Sequence, residues 1–251
     1  MLNDQDFLRY SRQMLLEECG ECGQAKLAQS TVLIVGLGGL GSPIARYLAG
    51  SGVGKLLLAD HDKVEISNLG RQILFTVADI NQPKATATAK RLTAVNPTVQ
   101  AVKIPEKLTT CNLPKWVAQA DLVLDCSDNM PTRHAVNQAC VQANKPLISA
   151  SAVGFNGQLL GILPPYDQGC YACLFPETEI PSLNCKTSGI LPPIVGIMGS
   201  IQALEALKYL IGLPISCEGI LRCFDGKTLE WQTFRLQKNT KCHICNLKKE
   251  K

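Results

Sequence analysis

One turn constrains this chain more than any other feature. Gly36-Leu37-Gly38-Gly39-Leu40-Gly41 satisfies G-x-G-x-x-G between the apolar run Thr31-Val32-Leu33-Ile34-Val35 and a stretch of helical pattern around Ile44–Ala49. Glycines at Gly36, Gly38, Gly39 and Gly41 allow a tight turn and let phosphate oxygens approach backbone N–H groups at a helix N-terminus. Ser42-Pro43 reads as an N-cap followed by an N1 proline. Asp60 ends the next strand, Lys55–Asp60, nineteen residues after Gly41, where a carboxylate can hold ribose hydroxyls. The pattern predicts nucleotide binding and leaves NAD and ATP undistinguished.

The surrounding pattern fits such a turn. Residues 1–30 read as helical and amphipathic, with Phe7, Leu8, Met14, Leu15, Leu16 and Leu27 apolar. Pro83 opens a helix that Asn96-Pro97 ends; strands are expected at Val99–Ile104, Asp121–Cys126 and Pro146–Ala150, with a helix over Pro131–Ala143. Strand–helix alternation predicts a Rossmann-like, doubly wound, mainly parallel α/β sheet. After Ser151 the texture changes. A strand at Gln158–Leu163, a Pro-, Gly- and Cys-rich stretch over 164–193, a long helix at Ile194–Ile211 and a hairpin around Asp225-Gly226 predict a mixed or antiparallel C-terminal half. No linker divides the chain, so one domain over 1–251 is expected: N-terminal helices over 1–30, a nucleotide-binding part over 31–150 and a remainder over 151–251.

Composition narrows the partners. Lys+Arg number 25 against 21 Asp+Glu, a net charge of +4 with the cations scattered, and this gives no reason to expect nucleic acid. No apolar run is read as long enough to span a bilayer; the best, Val32 to Ala45, is interrupted by glycines, Ser42 and Pro43. The first residues, Met1-Leu2-Asn3-Asp4-Gln5-Asp6, are acidic and lack a signal-type apolar segment, so a cytoplasmic protein is expected. Twelve cysteines in such a chain point to metal or thiol chemistry rather than disulfides.

Charged residues then favour ATP. Asp60-His61-Asp62, Ser67-Asn68-Leu69-Gly70-Arg71-Gln72 and Pro83-Lys84 follow the ribose-binding strand. A dehydrogenase has no need of Arg71 and Lys84 there, whereas a triphosphate-handling enzyme uses fixed cations to stabilise charge on the phosphates. Asp125-Cys126-Ser127-Asp128-Asn129 follows a strand end, where a carboxylate can hold Mg²⁺. An NAD-dependent oxidoreductase would leave these residues unexplained, and a non-catalytic scaffold would not need Arg12, Lys84 and Asp128 together.

Over nearly its whole length the chain resembles the ThiF/MoeB family of ubiquitin-activating-enzyme-like adenylyltransferases. The resemblance rests on Arg9-Tyr10-Ser11-Arg12-Gln13, the glycine turn, Asn68-Leu69-Gly70-Arg71-Gln72, Pro83-Lys84 and Asp125-Cys126-Ser127-Asp128-Asn129. Ser149–Phe155, Gln168–Cys173 and Asn184–Thr187 look like the ThiF branch. The resemblance implies ATP-dependent adenylation of the C-terminal Gly-Gly carboxylate of the sulfur carrier ThiS, with release of pyrophosphate, in thiamine thiazole synthesis. Its alternative is adenylation of the molybdopterin synthase small subunit. Carried over by position, Gly39 and its neighbours cradle the nucleotide and Asp60 binds ribose. Asn68, Arg71, Gln72 and Lys84 contact phosphates, Asp128 holds Mg²⁺, and Arg12 enters the site of the other subunit of a homodimer. Gly70 departs from the family's usual Gln and is expected to loosen its turn.

The cysteines divide on the same basis. Cys19/Cys22, Cys170/Cys173 and Cys242/Cys245 have C-x-x-C spacing, and two such pairs together make a structural zinc site. Spacing leaves open which two pairs join; the resemblance implies Cys170, Cys173, Cys242 and Cys245, with His243 a bystander. It also implies that Cys185 is the thiol of an acyl-disulfide with the carrier, fed by a sulfur-donating enzyme. Cys111, Cys126, Cys140, Cys217 and Cys223 read as small core residues, and Cys19/Cys22 has no family counterpart.

Overall fold

The structure, a computed structural model, describes residues 3–176 and 189–246. One eight-stranded sheet runs through it, in the order β3-β2-β1-β4-β5-β6-β7-β8. Its strands are β1 (Thr31–Val35), β2 (Lys55–Ala59), β3 (Gln100–Ile104), β4 (Leu122–Asp125), β5 (Leu147–Val153), β6 (Asn156–Ile162), β7 (Ile220–Asp225) and β8 (Glu230–Arg235). The first five in space are parallel, and β6, β7 and β8 are antiparallel. The doubly wound half and the mixed half both follow the sequence expectation.

The inner parallel strands β1, β2 and β4 are almost continuously apolar because both faces are covered, whereas edge strand β3 exposes Gln100 and Lys103. Along β1, Val32 and Ile34 enter one core layer while Leu33 and Val35 enter the other. The first layer is built by α2 (Gly20–Gln29), α3 (Gly41–Gly50), α4 (Lys84–Val95) and α8 (Pro192–Ile211), and the second by α5 (Leu113–Val117), α6 (Met130–Gln142) and α7 (Tyr171–Leu174). Strand order reverses between β1 and β4, the place where open α/β sheets bind ligands beyond their strand ends.

Several local expectations are corrected. The described part of 1–30 forms two helices, α1 (Asp4–Met14) and α2, and several of its apolar residues are not covered: Leu8 on α1 is 79% exposed, and Leu15 and Leu16 just after it are 77% and 59% exposed. Ser42 does not cap α3. The helix starts at Gly41 without a side-chain cap, and Ser42 Oγ instead donates to Leu37 O. The segment Pro192–Ile211 is long and apolar enough to cross a membrane by length and composition, contrary to the sequence reading. Yet Met198, Ala203 and Ala206 are buried in the core, and Gln202 and Glu205 make buried polar contacts, so it serves as a core helix. Cys126, Cys140 and Cys217 are core residues as expected, but Cys111 is exposed and Cys223 half-buried. No disulfide joins the described cysteines.

Candidate active site

Three strand ends meet at the glycine turn. Gly36 N–H donates to Ala59 O at the end of β2 (2.8 Å), and Cys126 N–H, just past β4, donates to Val35 O (2.8 Å). Asp60 ties the turn down: its Oδ2 accepts from Leu37 N–H and its Oδ1 from Asp62 N–H, both at 2.8 Å. Burial pushes the Asp60 carboxyl up, and the ammonium of Lys84 opposes that rise. The four glycines serve different ends. Gly36 has φ +93, and a side chain there would meet Cys126 O at 2.9 Å; one on Gly41 would sit 2.0 Å from Gly36 O. A side chain on Gly39 would strike Val195 of α8 at 2.8 Å, whereas at Gly38 only Gln72 Nε2, at 3.7 Å, lies near. Gly38 therefore faces open space, the cradle that a phosphate needs.

Gln72 lies beside Gly38, and Lys84, Asn68 and Arg71 make contacts further along the same loops. Gln72 is 3% exposed, yet its Oε1 has no hydrogen-bond partner among the described residues. A buried amide oxygen left so is costly unless a ligand satisfies it. Buried Lys84, at the start of α4, pairs with Asp62 at 2.9 Å. Asn68 is buried in a short turn, accepting from Glu65 N–H (3.1 Å), and Arg71 holds Ser67 O (2.9 Å). Asp60, His61 and Asp62 bring three ligand atoms within 4.8 Å of one another, but the Lys84 ammonium already occupies that negative field.

The two carboxylates after β4 differ sharply. Asp125 is buried and committed to Ser127, Ser149 and Arg133. Asp128 is exposed and, among the described residues, approached only by Asn129 Nδ2 at 3.4 Å. A single open carboxylate beside a phosphate cradle suits Mg²⁺, which keeps several waters and takes its remaining ligands from phosphates.

Arg12 lies elsewhere. Helix α1 is held by Tyr10 OH accepting from Asn96 (2.8 Å), Arg9 donating to Val95 O (3.0 Å) and Gln13 donating to Ser51 O (2.9 Å). Asn96 and Ser51 close the C-terminal ends of α4 and α3. The ten residues of α3 put about 15 Å between that end and the glycine turn. The fold does not bring Arg12 to the glycine turn.

On the opposite face the four expected thiols converge. Cys170 and Cys242 Sγ are 3.8 Å apart and Cys173 and Cys245 Sγ 3.4 Å, and all four lie within 4.8 Å of one another. Tetrahedral thiolates around zinc have edges of about 3.8 Å, so the set could hold that ion. Burial pushes the Cys170 thiol up to about 11, while Cys242 is lowered despite its burial by the N–H groups of Cys245 and Ile244. Asn137 of α6 supports the group, donating to Cys170 Sγ (3.5 Å) and accepting from Tyr171 N–H (3.0 Å). His243 is exposed. Cys19 is buried and Cys22 exposed, and Cys185 lies outside the described residues.

Sequence reasoning noted Asp62 without giving it a role and missed Arg133 and Gln202. The one signal for Arg133 was its place four residues after Asn129 and four before Asn137, a polar stripe on one helix face.

A nucleotide cradle at the switch of a doubly wound sheet, with a four-thiol clasp behind it, defines the class. The chain belongs to the ThiF family, whose model matches residues 10–244. It is 53% identical to the sulfur carrier protein ThiS adenylyltransferase of Escherichia coli K12, covering 97% of both chains. It is 38% identical to the molybdopterin-synthase adenylyltransferase of the same organism, over 97% of this chain and 98% of the other. The adenylyltransferase and sulfurtransferase MOCS3 of Danio rerio is 45% identical, and this chain spans 54% of its length. Among solved structures, E. coli MccB with ATP superposes with TM-score 0.82 at 25% identity, covering 97% of this chain and 75% of that one.

Proposed function

We propose that this chain, acting as one adenylation domain over 1–251, adenylates the C-terminal Gly-Gly carboxylate of ThiS with ATP. The likeness to the ThiS adenylyltransferase across 97% of both chains carries the reading. The carrier carboxylate attacks the α-phosphorus, the α–β phosphoanhydride bond breaks and pyrophosphate leaves. The nucleophile is already an anion, so no general base is required, and the residues work by positioning and electrostatics.

The glycine turn cradles the phosphates, with Gly36 and Gly41 shaping it, Gly38 leaving it open and Gly39 seating it on α8. Asp60 keeps lone pairs for ribose beside its two backbone bonds. Lys84 exchanges Asp62 for phosphate oxygens, and Asn68, Arg71 and Gln72 contact the rest of the chain of phosphates. Asp128 would hold Mg²⁺, which neutralises charge on the departing pyrophosphate. Arg12 serves the neighbouring site of a cytoplasmic homodimer, a reading that its distance from its own glycine turn supports. Cys170, Cys173, Cys242 and Cys245 hold a structural zinc, and Cys185 carries carrier-linked sulfur delivered by a separate donor enzyme.

ATP–pyrophosphate exchange tests the reading, with purified ThiS in one arm and the molybdopterin synthase small subunit in the other. Exchange stimulated by ThiS is expected. Stimulation by the molybdopterin carrier alone overturns the choice in favour of that pathway.

A further inference from the structure

The β4–β5 ladder ends at Asp125–Ser149; beyond it β5 runs on to Val153, while the chain after β4 turns away as Cys126-Ser127-Asp128. One buried guanidinium spans the gap. Arg133 Nη2 donates to Ser127 O and to Ala150 O (3.0 Å). Its Nη1 donates to Ser149 Oγ (3.0 Å) and to Asp125 Oδ2 (3.3 Å). Ser149 Oγ donates to the same Asp125 oxygen at 2.8 Å, which closes the network. From the other face of the sheet, Gln202 Nε2 bonds Asp125 O (3.2 Å) and Ile148 O (2.8 Å), one step before the strands part.

We infer that Arg133 is a positioning residue for nucleotide and Mg²⁺ binding, acting as a side-chain rung that fixes where Asp128 stands. The segment it holds is pinned on its other side by the glycine turn: Cys126 N–H bonds Val35 O, and Cys126 O fills the space a side chain on Gly36 would need. Among the described residues Asp128 has no tether of its own beyond the Asn129 amide at 3.4 Å. Its place therefore descends from Ser127, and that of Ser127 from Arg133. Both Nη groups of the guanidinium are fully committed, to four acceptors, and the residue is 6% exposed, so its place is structural support behind the site. A planar fork reaches two strands at once in fixed directions; an ammonium on a flexible stem does not.

The inference rests on the assignment of Asp128 to Mg²⁺, and the test separates the two. Arg133→Lys keeps a cation beside Asp125 but removes the rung, and Ser149→Ala removes one of its acceptors. Calorimetric titration of Mg²⁺·ATP without any carrier and the Mg²⁺ dependence of exchange with ThiS are measured together. Arg133→Lys is expected to raise the half-saturating Mg²⁺ by about tenfold or more, as loss of a support behind a metal ligand does. The KM for ThiS should stay as in wild type, and Ser149→Ala should shift Mg²⁺ in the same direction by less. Wild-type Mg²⁺ dependence in Arg133→Lys, while Asp128→Asn shifts it, overturns the positioning role alone. No shift in Asp128→Asn overturns the Asp128 assignment and the inference with it. Should Arg133→Lys fail to fold, Ser149→Ala decides by the same titration, and an unchanged Mg²⁺ dependence there sinks the role.

Discussion

At the scale of single residues, the glycine motif conceals four separate demands. Gly41 is the least replaceable, since a methyl there lies 2.0 Å from Gly36 O in a backbone-to-backbone clash. Gly70 has ordinary φ and nothing within 4 Å of a side chain, so the departure from the family's Gln loosens nothing visible in its turn. Gly41→Ala should abolish ATP binding by calorimetry and lower the urea midpoint. Gly70→Ala should keep binding and gain roughly 0.5 kcal/mol through a less flexible unfolded chain. Equal behaviour of the two variants would refute this account. The glycine turn, Asp60 and Asp128 were legible because they sit at fixed offsets from apolar strands. Gln202 was not, because it acts on main-chain carbonyls, which leave no mark on a sequence, and Arg133 was not, because half of its acceptors are main-chain carbonyls and the rest lie on distant strands.

Elements show a similar division. The inner parallel strands β1, β2 and β4 could be read because burial on both faces makes each an almost continuous apolar run. Helix α5 could not, since the five residues Leu113–Val117 are too few to display a helical period. The hairpin was placed correctly at Asp225-Gly226, but its turn was not. Asp225 still pairs with Glu230, its Oδ1 accepts from Lys227 N–H, and the loop runs over residues 226–229. Gly226 is needed for packing, with Ile194 Cδ1 2.4 Å from where a side chain would stand. The left-handed residue is Leu229, at φ +62 and 70% exposed. Such a conformation costs a non-glycine residue about 1 kcal/mol. Leu229→Gly should therefore raise unfolding stability by up to about 1 kcal/mol, read as a higher urea midpoint at constant slope. A lower midpoint would mean that Leu229 packs more than its exposure implies.

For the whole molecule, the thiol cluster fastens the segment after β8 to the turn between β6 and α8, and Asn137 joins that fastening to α6. The nucleotide cradle lies among other side chains. Metal removal should thus lower stability before it touches binding. Extraction with a strong chelator is expected to reduce the melting temperature by roughly 5–10 °C, a shift equivalent to a few kcal/mol in a chain of this size. Nucleotide affinity measured below the transition should change far less. A chelated protein that melts unchanged would show that the tetrad contributes no metal-dependent stability.

The separation of those thiols along the chain also has a consequence in time. Each thiol pair of the cluster, Cys170 with Cys242 and Cys173 with Cys245, joins residues 72 apart. At the pace of translation the second pair of cysteines follows the first by roughly 4–14 s. Through that interval the strands before Cys170 are already available to pair, while Cys170 and Cys173 wait as half a ligand set. Closing the clasp is thus one of the last acts in assembling the fold, and it can occur only on a chain whose C-terminal hairpin has been made.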